Sequence, residues 1–261
     1  MCFRFLILRS SCFGANKFEA GASKYVYKME IKIKEGKKTA ILFGGSGLVG
    51  GFCLDLLLES PIYAKVLSLG RKKLNKEHEK LEQFIIDFDN LAEVEKSIQG
   101  NDLFCALGTT IKKAGSQEAF RKVDFEYPAE IAKIAAKNGV SQFILVSSVG
   151  ADSASKVFYS KVKGELEDAI RELPFWGVHI LRPSLLLGDR NESRPLERFG
   201  IIFSRGIGFL MGDLLGKYQP VEAEDVAKAM VIEAQSLEGG IKRLTSDAMV
   251  KIGKSERDLL E

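Results

Sequence analysis

The sequence predicts an α/β protein built on a doubly wound parallel sheet, and three observations carry that expectation. An unbroken apolar run, Ala40 to Phe43, meets a glycine cluster and is followed at once by an apolar helical pattern, Phe52 to Leu58. Short apolar runs then alternate with helical patterns from residue 39 to about 182, the pattern of parallel strands joined by crossover helices. Gly44 to Gly50, Gly108, Ser147 and Ser148 fall where strands end, and open sheets of this kind bind ligands outside the carboxyl ends of their strands.

The first element is the most informative. Within Thr39–Gly50, Gly44, Gly47 and Gly50 recur at a fixed beat. The first allows a sharp turn, the second removes a side chain where a pyrophosphate must approach the backbone, and the third lets the helix pack close to the strand. The helix N-terminus adds unpaired N–H groups and a partial positive charge.

Val66–Gly70 reads as the second strand, and Arg71-Lys72-Lys73 follows it where an NAD-binding unit would carry an acid for the ribose 2′-OH. An acid would repel a 2′-phosphate, whereas a guanidinium grips one in bidentate fashion, so the expected cofactor is NADP(H). The charged run Lys76 to Glu82 reads as a surface loop or short helix, with His78 a solvated side chain. Strand three is Phe84–Asp89; Asp87 is placed to accept from an adenine amino group, and Asp89 or Asn90 to cap the helix Leu91 to Ile98 that Gly100 ends.

Strand four and its exit run from Leu103 through Gly108 to Thr110, and the glycine lets the backbone lie against a cofactor. A polar loop, Ile111 to Ser116, leads to a helix over Ala119–Asn138 that Pro128 kinks and Gly139 closes. Strand five, Gln142–Ser148, ends in two serines, followed by a small loop, Val149 to Lys156, and a helix, Val157 to Leu173. Strand six is Val178–Leu181, with His179 packed or at an edge, and Arg182-Pro183 leaves it. Beyond Asp189 the alternation stops. Phe199 to Leu215 suits a lid or substrate-side segment, Tyr218–Val221 a short strand, Glu224–Val231 the start of a helix, and Ile241–Thr245 a last weak strand.

At 261 residues the chain is long enough for one large domain, taken as residues 29–261 with a substrate-side segment at about 189–261. A net charge of +3 does not argue for nucleic acid, and no apolar run is long enough for a membrane span. Cys2, Cys12, Cys53 and Cys105 show no paired spacing; the latter two read as core residues of a reducing compartment, and no metal site is expected. The location read from this is cytoplasmic, the partner a small-molecule substrate, and the assembly a monomer or weak homodimer. Residues 1 to 28 are basic, apolar and poor in acids. They read either as a targeting presequence or, preferably, as a start placed ahead of Met29, and on either reading they stand outside the fold.

Tyr159 and Lys163 lie four apart on a helix and share one face. A lysine about 4 Å from a tyrosine contributes on the order of 4 kcal/mol at an effective dielectric of 20, up to roughly three units of a phenol whose ordinary pKa is near 10. A serine from the end of strand five, Ser147 or Ser148, can bond the same substrate oxygen. The three together form a proton relay to a carbonyl while a nicotinamide delivers hydride.

Taken together, the glycine beat, Ser147-Ser148, Tyr159-x-x-x-Lys163 and Arg182-Pro183 resemble the short-chain dehydrogenase/reductase superfamily. Leu107-Gly-Thr-Thr110, Lys113-Ala-Gly115, Ser147-Ser-x-Gly-Ala-Asp152, Tyr159-x-x-Val-Lys-Gly-Glu165 and Asp189-Arg-x-Glu-Ser-Arg-Pro195 are similar to its atypical, Tat-interacting-protein-like branch of NADPH-binding oxidoreductases. The resemblance covers about residues 38 to 200 and implies a Rossmann fold. It implies that Ser46, Gly47, Leu48 and Val49 line the pyrophosphate and that Arg71 and Lys72 take the 2′-phosphate. Leu107 and Gly108 would touch the adenosine or ribose side, and Leu186 and Arg194 would complete the pocket. Tyr159 would be proton donor or acceptor, and Lys163 would bind the ribose and tune the tyrosine. The serine lies slightly closer to the tyrosine than in many reductases, which leaves Ser147 and Ser148 as alternatives.

The function expected is therefore an NADPH-dependent reductase of a small carbonyl or other unsaturated compound. The alternative is an NADPH-binding regulator with little turnover. A nucleotide-sugar epimerase is disfavoured, because the chain after residue 183 is short for a sugar-nucleotide domain.

Overall fold

The computed structural model describes residues 37–188, 216–236 and 238–257. A seven-stranded, all-parallel sheet runs in the order β3-β2-β1-β4-β5-β6-β9. Its strands are β1 Lys38–Phe43, β2 Tyr63–Gly70, β3 Leu81–Ile85, β4 Asp102–Cys105, β5 Gln142–Val146, β6 Gly177–Arg182 and β9 Gly240–Thr245. A separate two-stranded parallel ladder joins β7, Leu186–Leu187, to β8, Val221–Glu222.

Both faces of the sheet are covered, which is why its central strands read as continuous apolar runs. Along β1 the side chains alternate: Ala40 and Leu42 enter one core, Ile41 and Phe43 the other. The first core holds α1 (Leu48–Glu59), α6 (Ala223–Gln235) and α7 (Ser246–Arg257), with Leu54, Leu57, Val226 and Met230 at its centre. The second lies under α4 (Tyr127–Lys137) and α5 (Phe158–Arg171), around Ile131, Ile134, Leu166 and Ile170.

Several expected boundaries move. β3 starts at Leu81 and ends at Ile85, so Asp87 and Asp89 lie beyond it. Asp87 instead caps a 3-10 stretch, Phe88–Ser97, broken at Asn90, where an α-helix over Leu91–Ile98 was expected. No helix joins β2 to β3; the connection is a loop tied down by Gln83, which accepts from Leu74 N–H at 2.7 Å and donates to Lys76 O at 3.0 Å. The polar segment after β4 forms a turn of helix, α2 (Ile111–Ala114), capped by Thr110.

The expected helix over 119–138 is three pieces: α3 (Gln117–Arg121), a π turn (Lys122–Glu126) and α4. Pro128 explains the break. Its ring clashes with the carbonyl four residues back and it has no N–H to donate, so the chain widens just ahead of it rather than kinking at it. Residues 1 to 28 and Phe199 to Leu215 lie outside the described residues.

Candidate functional site

The carboxyl ends of β1, β2, β4 and β5 form one rim, and the glycine turn is its centre. Gly44 has φ 91°, and Gly47 N–H closes the turn on Gly44 O at 2.8 Å. A Cβ on Gly50 would lie 2.0 Å from Gly44 O, so α1 can start this close to β1 only without a side chain there. α1 begins at Leu48 with no side-chain cap and no acid in its first turn, an arrangement whose first N–H groups suit an anion. Ser46 and Gly47 are exposed, whereas Val49 is buried in the core and offers the site only its backbone.

Arg71, Lys72 and Lys73 leave β2 beside this turn, since Phe43 pairs with Leu69. All three are exposed, and none makes an ion pair among the described residues. Leu74 carries their loop against Gly45: a Cβ there would lie 3.2 Å from the leucine side chain. Asp87 sits further along the same rim, one oxygen accepting from Asp89 N–H at 2.9 Å.

Tyr159, Lys163 and Gly164 come from the first turns of α5. The Tyr159 ring rests against buried Phe120, centroids 5.5 Å apart. Gly164 admits the loop after β5: a Cβ on it would strike Ser153 N at 2.1 Å. Lys163 is buried and its ammonium meets Asp124 Oδ1 at 2.7 Å. Burial pulls the ammonium's pKa down, but the Asp124 carboxylate beside it outweighs that, and the net shift is upward. The other Asp124 oxygen accepts from Thr109 N–H at 2.8 Å. Gly108 closes the group, a Cβ on it falling 3.4 Å from Asp124 Oδ1 and 3.7 Å from Lys163 Nζ.

Asp124 therefore binds the α5 lysine to the exit of β4. Sequence reasoning missed it, because an aspartate in an amphipathic helix reads as a solvated residue. The available signal was Pro128 four positions later, which turns the helix there and brings the carboxylate inside.

The two serines separate. Ser147 Oγ donates to buried Glu167 at 2.6 Å, and Glu167 is also gripped by Arg182 through contacts of 2.9 and 2.6 Å. That hydroxyl proton is directed into the scaffold behind the rim. Among the described residues, Ser148 Oγ makes only a 3.3 Å contact to the neighbouring Val149 carbonyl. Leu186 lies in β7, half-buried, and Gly188 beyond it packs on Leu48 at the start of α1. Arg194 lies outside the described residues.

Residues 44–194 match the family described as NAD(P)H-binding, and the chain belongs to that family. Within it, the chain resembles protein HTATIP2 in sequence, and its fold is that of a short-chain dehydrogenase/reductase superfamily protein. The HTATIP2 of Rattus norvegicus is 40% identical over 174 residues, 65% of this chain and 72% of its own length. Protein FMP52, mitochondrial, of Candida albicans is 35% identical over 224 residues, 82% of this chain and 94% of its own.

Among solved structures, the Bordetella bronchiseptica enzyme WbmH in complex with NAD+ superposes with a TM-score of 0.62 at 18% identity, covering 85% of this chain and 81% of that one. A short-chain dehydrogenase/reductase superfamily protein from Agrobacterium tumefaciens with bound NAD gives 0.62 at 15% identity, covering 85% and 82%. At these identities the likeness speaks to the fold alone.

The expected cytoplasmic location is corrected by the same comparison. The FMP52 relatives from Candida albicans, Meyerozyma guilliermondii and Coccidioides immitis are all named mitochondrial. Among the described residues no helix is long and apolar enough to cross a membrane, and no cluster of His, Cys, Asp and Glu has the form of a metal site.

Proposed function

We propose that the protein binds NADP(H) in preference to NAD(H) and reduces a small carbonyl or other unsaturated compound. The preference is supported by Arg71 and Lys72, exposed and without an ion pair among the described residues, beside the glycine turn with no acid at the end of β2. The observation that carries the enzymatic reading is Lys163, buried one helical turn from Tyr159 and in contact range of Gly108. A lysine kept charged in the interior, at the edge where the cofactor binds, has a site to serve.

In this reading the backbone N–H groups of Leu48 and Val49, at the start of α1, hold the pyrophosphate, and the Arg71 guanidinium and Lys72 hold the 2′-phosphate. Asp87 accepts from the adenine, and Leu107, Gly108 and Leu186 wall the rest. The nicotinamide, when bound, supplies the hydride. Tyr159 delivers the proton at its phenolic oxygen, Lys163 orients the ribose, and Ser148 rather than Ser147 holds the substrate oxygen.

A second reading, an NADPH-binding regulator with little turnover, is favoured by Asp124. A carboxylate 2.7 Å from the lysine already neutralises the cation that the relay would draw on. One experiment separates the two: fluorescence titration with NADPH and NADH, followed by a screen of aldehydes, ketones, quinones and enones read by NADPH absorbance. Tight NADPH binding with turnover supports the reductase. Tight binding without turnover across the screen replaces it with the regulator, and equal affinities for the two nucleotides overturn the cofactor assignment.

For the compartment, the proposal follows the fungal relatives: mitochondrial, tested by fractionating cells that express the full chain with a C-terminal tag.

A further inference from the structure

The sequence singles out Arg182-Pro183 at the exit of β6, and the structure makes it part of a closed loop of contacts around Ser148 and Tyr159. The loop begins on α5. Tyr159, Lys163 and Glu167 are spaced four apart and lie on one face of that helix. Glu167 is 1% exposed. Its carboxylate holds the Arg182 guanidinium in a fork: Nε donates to Oε1 at 2.9 Å and Nη2 to Oε2 at 2.6 Å. Ser147 Oγ donates to Oε1 at 2.6 Å, and Arg243 Nε of β9 stands 3.6 Å from Oε2.

From Arg182 the loop passes through the backbone. Ser147 N–H donates to Leu181 O at 2.7 Å and Val149 N–H to Pro183 O at 2.9 Å. The acceptors are the two neighbours of Arg182, and the donors are the two neighbours of Ser148. Pro183 has its own φ fixed and confines Arg182 to an extended backbone, which stiffens this exit. The loop returns to the first turn of α5, where Asp152 N–H donates to Ser160 O at 3.0 Å, next to Tyr159. Ser148 and Tyr159 therefore sit on two arms joined by one buried fork. A planar guanidinium on a carboxylate fixes direction as well as distance. Stability alone does not call for such a pair, because packed apolar side chains of the same volume often serve as well.

We infer that Glu167 and Arg182 are positioning residues for the reduction: the fork sets the span between Ser148 Oγ and Tyr159 Oη, so that both meet one substrate oxygen. The inference rests on the reductase reading above. In this role neither residue touches the substrate; Glu167 acts through α5, and Arg182 through the ends of β5 and β6.

Arg182→Lys keeps the charge and removes the fork, while Ser147 and Arg243 still face the carboxylate. On a substrate from the screen, kcat should fall about tenfold to a hundredfold, the scale of a displacement near 1 Å, with the KM for NADPH unchanged. Made in Ser148→Ala, the same substitution should change kcat by less than about twofold, since the group it positions is gone. A wild-type kcat, effects that multiply in full, or a loss confined to the KM for NADPH each overturn the inference. Crystal structures of wild type and Arg182→Lys separate it from the reading it rests on. If no compound is turned over, the reductase reading fails and the span decides: it should differ between the two by more than about 0.5 Å, the tolerance of a working site. An unchanged span overturns the inference. Should Arg182→Lys not fold, Glu167→Asp, one methylene shorter with its charge kept, replaces it in both measurements.

Discussion

Asp124 and Lys163 face each other at 2.7 Å, with side chains 1% and 5% exposed, one from a π turn and the other from α5. Removing the carboxylate leaves a buried cation without its partner. Asp124→Ala is expected to cost about 3–5 kcal/mol, which at roughly 2–4 °C per kcal/mol for a domain of this size lowers the melting temperature by on the order of ten degrees. Differential scanning calorimetry at neutral pH checks it, and a fall of only a degree or two would mean that the pair carries little.

The same pair fixes the sign of an alkaline effect. Its lysine pKa is raised above the ordinary 10.5 in the folded protein. The stability it supplies is therefore fully present below the unfolded lysine's range and is lost as pH rises through the folded value. Melting temperatures of wild type and Asp124→Ala should converge in strongly alkaline buffer; a constant gap would assign the loss to packing instead.

Arg71→Ala is expected to weaken NADPH binding tenfold or more, since a charge-assisted bidentate contact contributes about 1.5–3 kcal/mol. NADH affinity should hardly change, because NADH lacks the 2′-phosphate that the guanidinium is proposed to hold. Fluorescence titration of both nucleotides on both proteins gives the four constants needed.

The serines should behave oppositely to each other. Ser148→Ala is expected to slow turnover while leaving melting unchanged. Ser147→Ala removes the donor to Glu167, which keeps its Arg182 contacts. It should therefore lower stability by about 1 kcal/mol and leave the substrate step intact. The reverse pattern in steady-state rates would reassign the relay.

Tyr159→Phe keeps the ring against Phe120 and removes only the hydroxyl. Turnover should fall by about a hundredfold to ten-thousandfold with NADPH affinity retained. An unchanged rate on any substrate from the screen would exclude the phenol as proton donor.

How much of this was legible depended on burial. β1, β4 and β5 were readable because they are covered on both faces and their apolar runs are unbroken; β6 was readable from the apolar residues on either side of His179. β3 was shifted by three residues because Leu81–Ile85 is an edge strand with half-exposed side chains and no clean period. The two-residue β7 carries too little sequence to announce itself, and β8 overlaps the expected strand Tyr218–Val221 only at Val221. The glycine turn was legible because steric demand at Gly44 and Gly50 leaves one residue type. Asp124 was not, because its burial follows from a helix irregularity that the pattern of apolar residues conceals. His179 read as packed or edge-exposed; its burial among polar partners depends on four elements far apart in the chain.

The β7–β8 ladder has a consequence for how the chain re-enters its frame. Leu186 pairs with Val221, Ser184 N–H reaches Ser246 Oγ at 2.9 Å, and Val221 N–H reaches Leu185 O at 2.9 Å. These bonds hold together the point where the chain departs at Gly188 and the point where it returns near Gly216. The ladder thus acts as a clamp: it fixes the spacing at which the chain leaves the frame and rejoins it.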